Sequence, residues 1–325
     1  MEYRLLGRTG VRISRLSMGT MSFGGDADEA MATAMFRRSR EAGINCFDCA
    51  NRYAKGRAEE ILGRLIADCR NEVVITSKVG HRESQDVNAV GCSRRHIMQA
   101  VETSLRRLKT DRIDLYFLHS FDADTPLEET LRALDDLVRQ GKVLYVGASN
   151  HAAWQVMKGL GISLRAGLAR FECLQPMYNL VKRQAEVEIL PMAQAEDLGV
   201  ISYSPLGAGL LTGKYDTTER PERGRLVENR LYARRYAEPA YYEIASRFNA
   251  HAREHGVHPA TLAVAWVMSH PAITAPLIGA RNLEQLECSL AAVDVKMTPE
   301  WRAAISALSV SPAPATDRSE EREPA

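Results

Sequence analysis

Ile113-Asp114-Leu115-Tyr116-Phe117-Leu118-His119 is a run of strand-forming residues that ends on an imidazole. Upstream, Ile44-Asn45-Cys46-Phe47 runs into Asp48, with Tyr53 one loop step beyond. Val73-Val74-Ile75 is followed shortly by Lys78. The chain thus sets a carboxylate, a phenol, an ammonium and an imidazole, in that order, at or just past successive strand ends. Runs of the same kind lie at residues 16–18, 143–146, 171–174, 200–203 and 275–278.

Helical patterns separate these runs. Ile97, Val101, Leu105 and Leu108 recur at helical spacing. Thr125-Pro126-Leu127-Glu128 reads as a capping box with proline at the first helical position, and Gly141 supplies the stop after Gln140. His258-Pro259-Ala260 reads as a second start of that kind. Strand and helix alternate along most of the 325 residues, which predicts one α/β domain, a (β/α)8 TIM barrel over residues 1–310. A doubly wound nucleotide fold is the rival, but no G-x-G-x-x-G follows the first strand. Gly209-Leu210-Leu211-Thr212-Gly213-Lys214 is one residue short of a P-loop. Tyr215 also stands where a magnesium-binding hydroxyl belongs, so that reading is rejected.

Three segments stand apart. Residues 1–14, with Leu6-Gly7 and Thr9-Gly10 turn signals, read as a β-hairpin that closes the bottom of the barrel. Residues 311–325, rich in Pro, Ser, Glu and Arg, read as a disordered tail. Residues 214–239 lack periodicity and carry Arg220, Arg223, Arg225, Arg230, Arg234 and Arg235. They are expected to fold over a bound ligand and slow its release.

Composition bounds the partners. A formal net charge of +1 gives no electrostatic case for nucleic acid. No apolar run approaches the roughly 18 residues that span a bilayer, so no membrane is expected. Met1-Glu2-Tyr3-Arg4 opens no secretion signal, which predicts a cytoplasmic protein. Cys46, Cys49, Cys69, Cys92, Cys173 and Cys288 are then free thiols. Cys46 and Cys49 form a C-x-x-C, but no second ligand pair follows at zinc spacing. Packing is the reading taken, with no metal site.

In a barrel of this kind, chemistry is built at the C-terminal strand ends. Those ends carry Asp48, Lys78, His119, Ser149, Asn150, Gln175, Tyr203 and Ser204, with Tyr53 beyond Asp48. Any one of them has a bland explanation, since strands end in polar loops; their joint occurrence shifts the balance. A free phenol is a poor acid at neutral pH, and a nearby ammonium lowers its pKa. Asp48 can hold that ammonium, and His119 can orient a carbonyl. Together they would protonate a carbonyl oxygen as hydride reaches carbon, the hydride coming from a cofactor.

At this point the chain resembles the aldo-keto reductase superfamily. The matching text is Phe47-Asp48-Cys49-Ala50-Asn51-Arg52-Tyr53, Thr76-Ser77-Lys78-Val79-Gly80 and Asp114-Leu115-Tyr116-Phe117-Leu118-His119. It continues through Gly147-Ala148-Ser149-Asn150, Gln175-Pro176-Met177-Tyr178-Asn179-Leu180, Tyr203-Ser204-Pro205-Leu206-Gly207 and Gly279-Ala280-Arg281-Asn282. The resemblance implies a nicotinamide dinucleotide across the barrel mouth, Tyr53 as general acid tuned by Lys78 and Asp48, and His119 orienting the carbonyl. It implies Ser149, Asn150 and Gln175 on the carboxamide, Tyr203 stacked on the ring, and Ser204 and Leu206 along the pyrophosphate. Thr20 and Met21 would border the cofactor, with Gly279, Arg281 and Gln285 at the adenosine end.

The chain departs from the family pattern in places. Cys288 and Ser289 stand where Glu and Asn usually hold the adenine. Arg281 can still meet a 2′-phosphate, so NADPH is favoured over NADH. Asn51 replaces a frequent aromatic residue and Phe121 a frequent tryptophan, which suggests a more open or more polar pocket. Tyr3, Tyr232, Tyr236, Tyr241 and Tyr242 receive no role. The leading expectation is NAD(P)H-dependent reduction of a small aldehyde or ketone. The alternatives are a cofactor-binding regulatory subunit like the β subunits of potassium channels, and a nucleotide-sugar ketoreductase.

Overall fold

The computed structural model describes residues 1–215, 222 and 224–318. Its strands are β1 (Tyr3–Leu5), β2 (Arg12–Ser14), β3 (Ser17–Gly19), β4 (Cys46–Asp48), β5 (Val74–Val79), β6 (Ile113–Leu118), β7 (Val143–Ser149), β8 (Phe171–Gln175), β9 (Gly199–Ser202) and β10 (Ala275–Ile278). Its helices are α1 (Glu29–Glu41), α2 (Arg57–Leu65), α3 (Arg94–Leu108), α4 (Leu127–Arg139), α5 (Ala153–Ala166) and α6 (Ile189–Ala195). They continue with α7 (Arg225–Glu228), α8 (Arg230–Arg235), α9 (Pro239–Glu254), α10 (Pro259–Met268), α11 (Leu283–Leu290) and α12 (Pro299–Ser306). Strands β3 to β10 pair in parallel and close into a barrel, with β10 joined to both β9 and β3.

The eight expected strands are those of the barrel, and residues 113–118 and 275–278 fall on β6 and β10 without a shift. β5 and β7 run further than expected, through Lys78 and Ser149. Their C-terminal halves are polar yet buried, because they face a hydrogen-bonded interior rather than solvent.

Period-two alternation sorts the strand residues between two cores. Leu115 and Phe117 of β6 join Cys46, Cys173, Ile201 and Ala275 inside the barrel. Tyr116 and Leu118 face out into the larger cluster beneath the helices, with Ile97, Val101, Leu105 and Leu108 of α3; Ile113, at the start of the strand, also packs in that cluster. The same alternation carries β6 on to His119 above Phe117, and β4 from Cys46 to Asp48. The hairpin β1–β2 is antiparallel, and its neighbours Leu6 and Ile13 join the interior cluster, so it plugs the barrel bottom as expected. Cys46 and Cys49 pack in different clusters, and all six cysteines are free.

One helix start differs from expectation. Helix α4 begins at Leu127 with Pro126 in the cap position and no side-chain cap. The Thr125 hydroxyl, one residue before the cap position, donates to Asp122 Oδ2 (2.8 Å). The stop at Gly141 (φ +72°) and the start at His258-Pro259 form as read. Residues 311–318 carry no helix or strand, and 319–325 lie outside the described residues.

Gly147 faces inward on β7, where the Phe117 ring fills the space a side chain would take. An added Cβ would lie 2.6 Å from Phe117 Cε1 and 2.7 Å from Cys173 O. Gly147→Ala should therefore destabilise the barrel by about 1–3 kcal/mol, read as a lower urea midpoint. Gly161→Ala in α5, where nothing lies within 4 Å, is the control and should not lower it.

Candidate active site

Asp48 sits at the C-terminal end of β4, fully buried. Its Oδ1 accepts from Thr76 Oγ1 (2.6 Å) and Gln175 Nε2 (2.8 Å), and its Oδ2 from Lys78 Nζ (2.5 Å). Lys78 also donates to Cys49 O (2.7 Å) and to Tyr53 Oη (3.4 Å), so all three ammonium protons have acceptors. Strands β4, β5 and β8 thus meet on one carboxylate.

Tyr53 opens a turn in which Ala54 (φ +46°) and Lys55 (φ +56°) are left-handed, a costly conformation for non-glycine residues. Glu59, buried in α2, holds that turn in place. It accepts from Ser77 Oγ of β5 (2.6 Å) and from Arg107 of α3 (3.2 Å), and Arg107 also donates to Asn51 O (3.1 Å). The strained turn is therefore clamped between the strand bearing Lys78 and a helix behind it.

Lys78 was expected to lower the pKa of the phenol, and the structure corrects this. Burial pushes the Tyr53 phenol well above its ordinary value, and the Asp48 charge adds to that. Lys78 lies 3.4 Å from the phenol, but burial and the Asp48 charge outweigh it. Tyr53 is consequently a protonated phenol, a donor rather than a phenolate. His119 lines the same cavity, its ring edge-on to Tyr53 at 6.0 Å and to His81 at 4.3 Å between centroids. Burial, then Lys78 and His81, pushes its imidazole down to about 2.

These groups face a cavity of about 880 Å³ at the barrel mouth. Met21, Asp48, Tyr53, His119, Ser149, Asn150, Gln175, Tyr203, Ser204, Leu206, Gly279, Arg281 and Gln285 all line it. Thr20 does not: it is buried, and its hydroxyl donates to Asp48 O (2.9 Å) from behind. Lys78 lies beneath the surface. Ser149, Asn150 and Tyr203 form one preset group, with Tyr203 Oη donating to Asn150 Oδ1 (2.7 Å) and Asn150 Nδ2 donating to Ser149 Oγ (3.1 Å) and His119 O (2.8 Å). Gln285 Oε1 accepts from Arg281 N (3.0 Å). The Arg281 guanidinium is gripped by Asp26 (2.9 Å) and Glu228 (3.1 Å). Asn51, Phe121 and Ser289 lie off the cavity; Asn51 bonds Glu83, and Phe121 packs edge-on to His151 and Trp154.

Sequence reading missed several lining residues: Arg52, His81, Lys214, Tyr232 and His258. All but Tyr232, which sits in the short helix α8, come from loops, where no periodicity marks which side chains turn inward. Of the long arginine-bearing segment, Lys214, Arg225, Asn229, Leu231, Tyr232 and Arg235 line the cavity. Arg220 and Arg223 lie outside the described residues. Away from the cavity, His251, Glu254 and His255 of α9 bring ligand atoms within 4.8 Å of one another, but Trp301 Nε1 already donates to His251 Nε2 (2.9 Å).

The profile of the Aldo/keto reductase family matches residues 15–310. An uncharacterized oxidoreductase of Bacillus subtilis (strain 168) is 37% identical over 317 residues, spanning 92% of this chain and 93% of that protein. A probable voltage-gated potassium channel subunit beta of Oryza sativa subsp. japonica is 37% identical over 309 residues, with 92% and 94% covered. Versiconal hemiacetal acetate reductase of Aspergillus parasiticus is 31% identical over 326 residues, again with 92% and 94% covered.

The depressed His119 pKa has a consequence for stability. The folded value lies near 2, whereas the free imidazole titrates at 6.5. Below that ordinary value the unfolded chain binds a proton that the folded chain refuses, so stability falls as pH drops. At higher pH neither state binds it and the effect vanishes. Near pH 5.5 the loss from His119 alone comes to about 1.4 kcal/mol. His119→Gln should shrink the drop in urea midpoint between neutral pH and about 5.5. Imidazole NMR should show His119 neutral across that range, and a titration there would contradict the assignment.

Proposed function

Since the chain belongs to the aldo/keto reductase family, we propose that it is a cytoplasmic, NADPH-dependent enzyme that reduces a small aldehyde or ketone to the alcohol, with Tyr53 as general acid. The carrying observation is the Asp48–Lys78–Tyr53 chain of contacts beside a neutral His119 at one wall of the cavity. Free cysteines throughout fit a reducing compartment.

The residues present suit a dinucleotide. Lys214, Arg225 and Arg281 line the cavity together and favour phosphate groups. Ser204 and Leu206 line the same cavity, next in sequence to Tyr203. Ser149, Asn150 and Gln175 present a polar group, and Gly279 leaves open space where a Cβ would project. The nicotinamide, when bound, supplies hydride to a carbonyl carbon.

The chain's own residues do the rest. His119, neutral, donates a hydrogen bond to the carbonyl oxygen and fixes its direction. As negative charge grows on that oxygen, Tyr53 Oη gives up its proton to it. A developing alkoxide is far more basic than a phenolate, so a raised phenol pKa still permits the transfer. Lys78, at 3.4 Å, then faces the phenolate, and Asp48 keeps the ammonium in position. Residues 224–235 pass over the cavity and are tied down by Glu228 to Arg281 and by Tyr232 Oη to Met21 Sδ (3.8 Å), which supports a lid that slows cofactor release.

The potassium-channel relatives favour a second reading, a cofactor-binding subunit that oxidises its nucleotide once and holds it. Multiple turnovers with an aldehyde would exclude it; a single stoichiometric oxidation would favour it.

Tyr53→Phe should lower carbonyl reduction by about 10²–10⁴-fold with cofactor binding retained in a fluorescence titration. Near wild-type turnover would remove Tyr53 from the role. NADPH should bind more tightly than NADH, and Arg281→Ala should weaken NADPH by about tenfold while sparing NADH. Equal losses for both would show that Arg281 does not read the 2′-phosphate.

A further inference from the structure

We infer that the substrate carries a carboxylate near its carbonyl, and that Arg52 is the residue that binds it. The inference rests on the carbonyl-reductase reading above and adds the substrate's charge class.

The cavity's charged lining is lopsided. Arg52, Lys214, Arg225, Arg235 and Arg281 face it, against Asp48 and Glu284. Asp48 is already neutralised by Lys78. The cations then divide by location. Lys214, Arg225 and Arg281 lie close enough together to perturb one another, Glu228 and Asp26 sit among them, and dinucleotide phosphates account for them. Arg235 lies over the Tyr232 ring, 5.2 Å from its centroid.

Arg52 stands at the other end. It immediately precedes Tyr53 and lines the cavity with His81, His119 and Ser120. It is near enough to both imidazoles for its charge to help hold them neutral. Among the described residues its guanidinium has no ion-pair or hydrogen-bond partner. The other arginines lining the cavity are engaged: Arg281 meets Asp26 and Glu228, and Arg225 and Arg235 lie over the Tyr232 ring.

The surroundings of Arg52 leave that charge uncompensated. Tyr53, His81 and His119 are all neutral donors or acceptors, and no free carboxylate lines this end. A ligand whose carbonyl oxygen reaches Tyr53 Oη and His119 extends its remaining atoms toward Arg52. A planar carboxylate there matches a guanidinium in shape and charge. Arg52 is exposed, so a neutral substrate would leave its charge to water.

The test compares para-formylbenzoate with its uncharged methyl ester, an aldehyde of the same reach. The wild-type enzyme should favour the acid in kcat/KM, and Arg52→Gln should lower the acid-to-ester ratio by about tenfold, the scale of a charge-assisted hydrogen bond. Arg52→Lys should keep part of the ratio, and added salt should erode it. A ratio that stays the same in Arg52→Gln overturns the proposal. Calorimetric binding of terephthalate, which cannot be reduced, to the NADPH-loaded protein gives an independent readout. Weaker binding by Arg52→Gln supports the carboxylate site, and equal binding overturns it. Failure to reduce either aldehyde would count against the carbonyl-reductase reading, while the terephthalate result would still decide the role of Arg52.

Discussion

A buried ion pair, Lys78 Nζ to Asp48 Oδ2 at 2.5 Å, is the constraint on which the site depends. Neither group has solvent, and removing two charges from water costs several kcal/mol each before any contact is made. The cost is tolerable here because every polar valence is met. Asp48 takes Thr76, Gln175 and Lys78, and Lys78 takes Asp48, Cys49 O and Tyr53. Such a pair contributes geometry more than stability. It fixes the ends of β4, β5 and β8 relative to each other, and with them the height of the Tyr53 hydroxyl.

The same pair sets the protonation states around it. Burial and the Asp48 charge keep the phenol protonated, while burial and the Lys78 charge keep the neighbouring imidazole neutral. Both groups therefore offer hydrogens to an incoming oxygen without carrying charge of their own. Charge in the cavity comes instead from arginines and a lysine on loops and on the short helices α7 and α8. A neutral centre flanked by cations suits a reaction in which negative charge grows on a carbonyl oxygen between anionic groups.

Much of the fold was legible because strand runs and helical spacing leave strong local signals. All eight barrel strands were read, and the hairpin plug followed from its turn glycines. Asp48, Tyr53, Lys78 and His119 were legible as residues because strand ends are where a barrel does chemistry. Their energetics were not. The sign of the Tyr53 shift comes from how deeply the phenol is buried and from the nearby Asp48 charge, which no sequence pattern encodes. Thr125 shows the same limit on a smaller scale, since only the fold brought the Asp122 carboxylate within reach of its hydroxyl. Arg52 was read as part of a motif but given no role, because its meaning lies in the absence of a nearby carboxylate.

Arg281 illustrates how the loops couple to one another. Its guanidinium joins Asp26, on the connection before α1, to Glu228, at the end of α7. A phosphate arriving at Arg281 must displace or share with two carboxylates, so binding there perturbs both loops at once. Glu228 belongs to the segment whose next helix places Leu231 and Tyr232 on the cavity wall. The pairs are partly exposed, and each alone contributes little. On the proposed assignment they make the order of the covering segment depend on what binds Arg281, and so link phosphate recognition there to how firmly the cavity is covered.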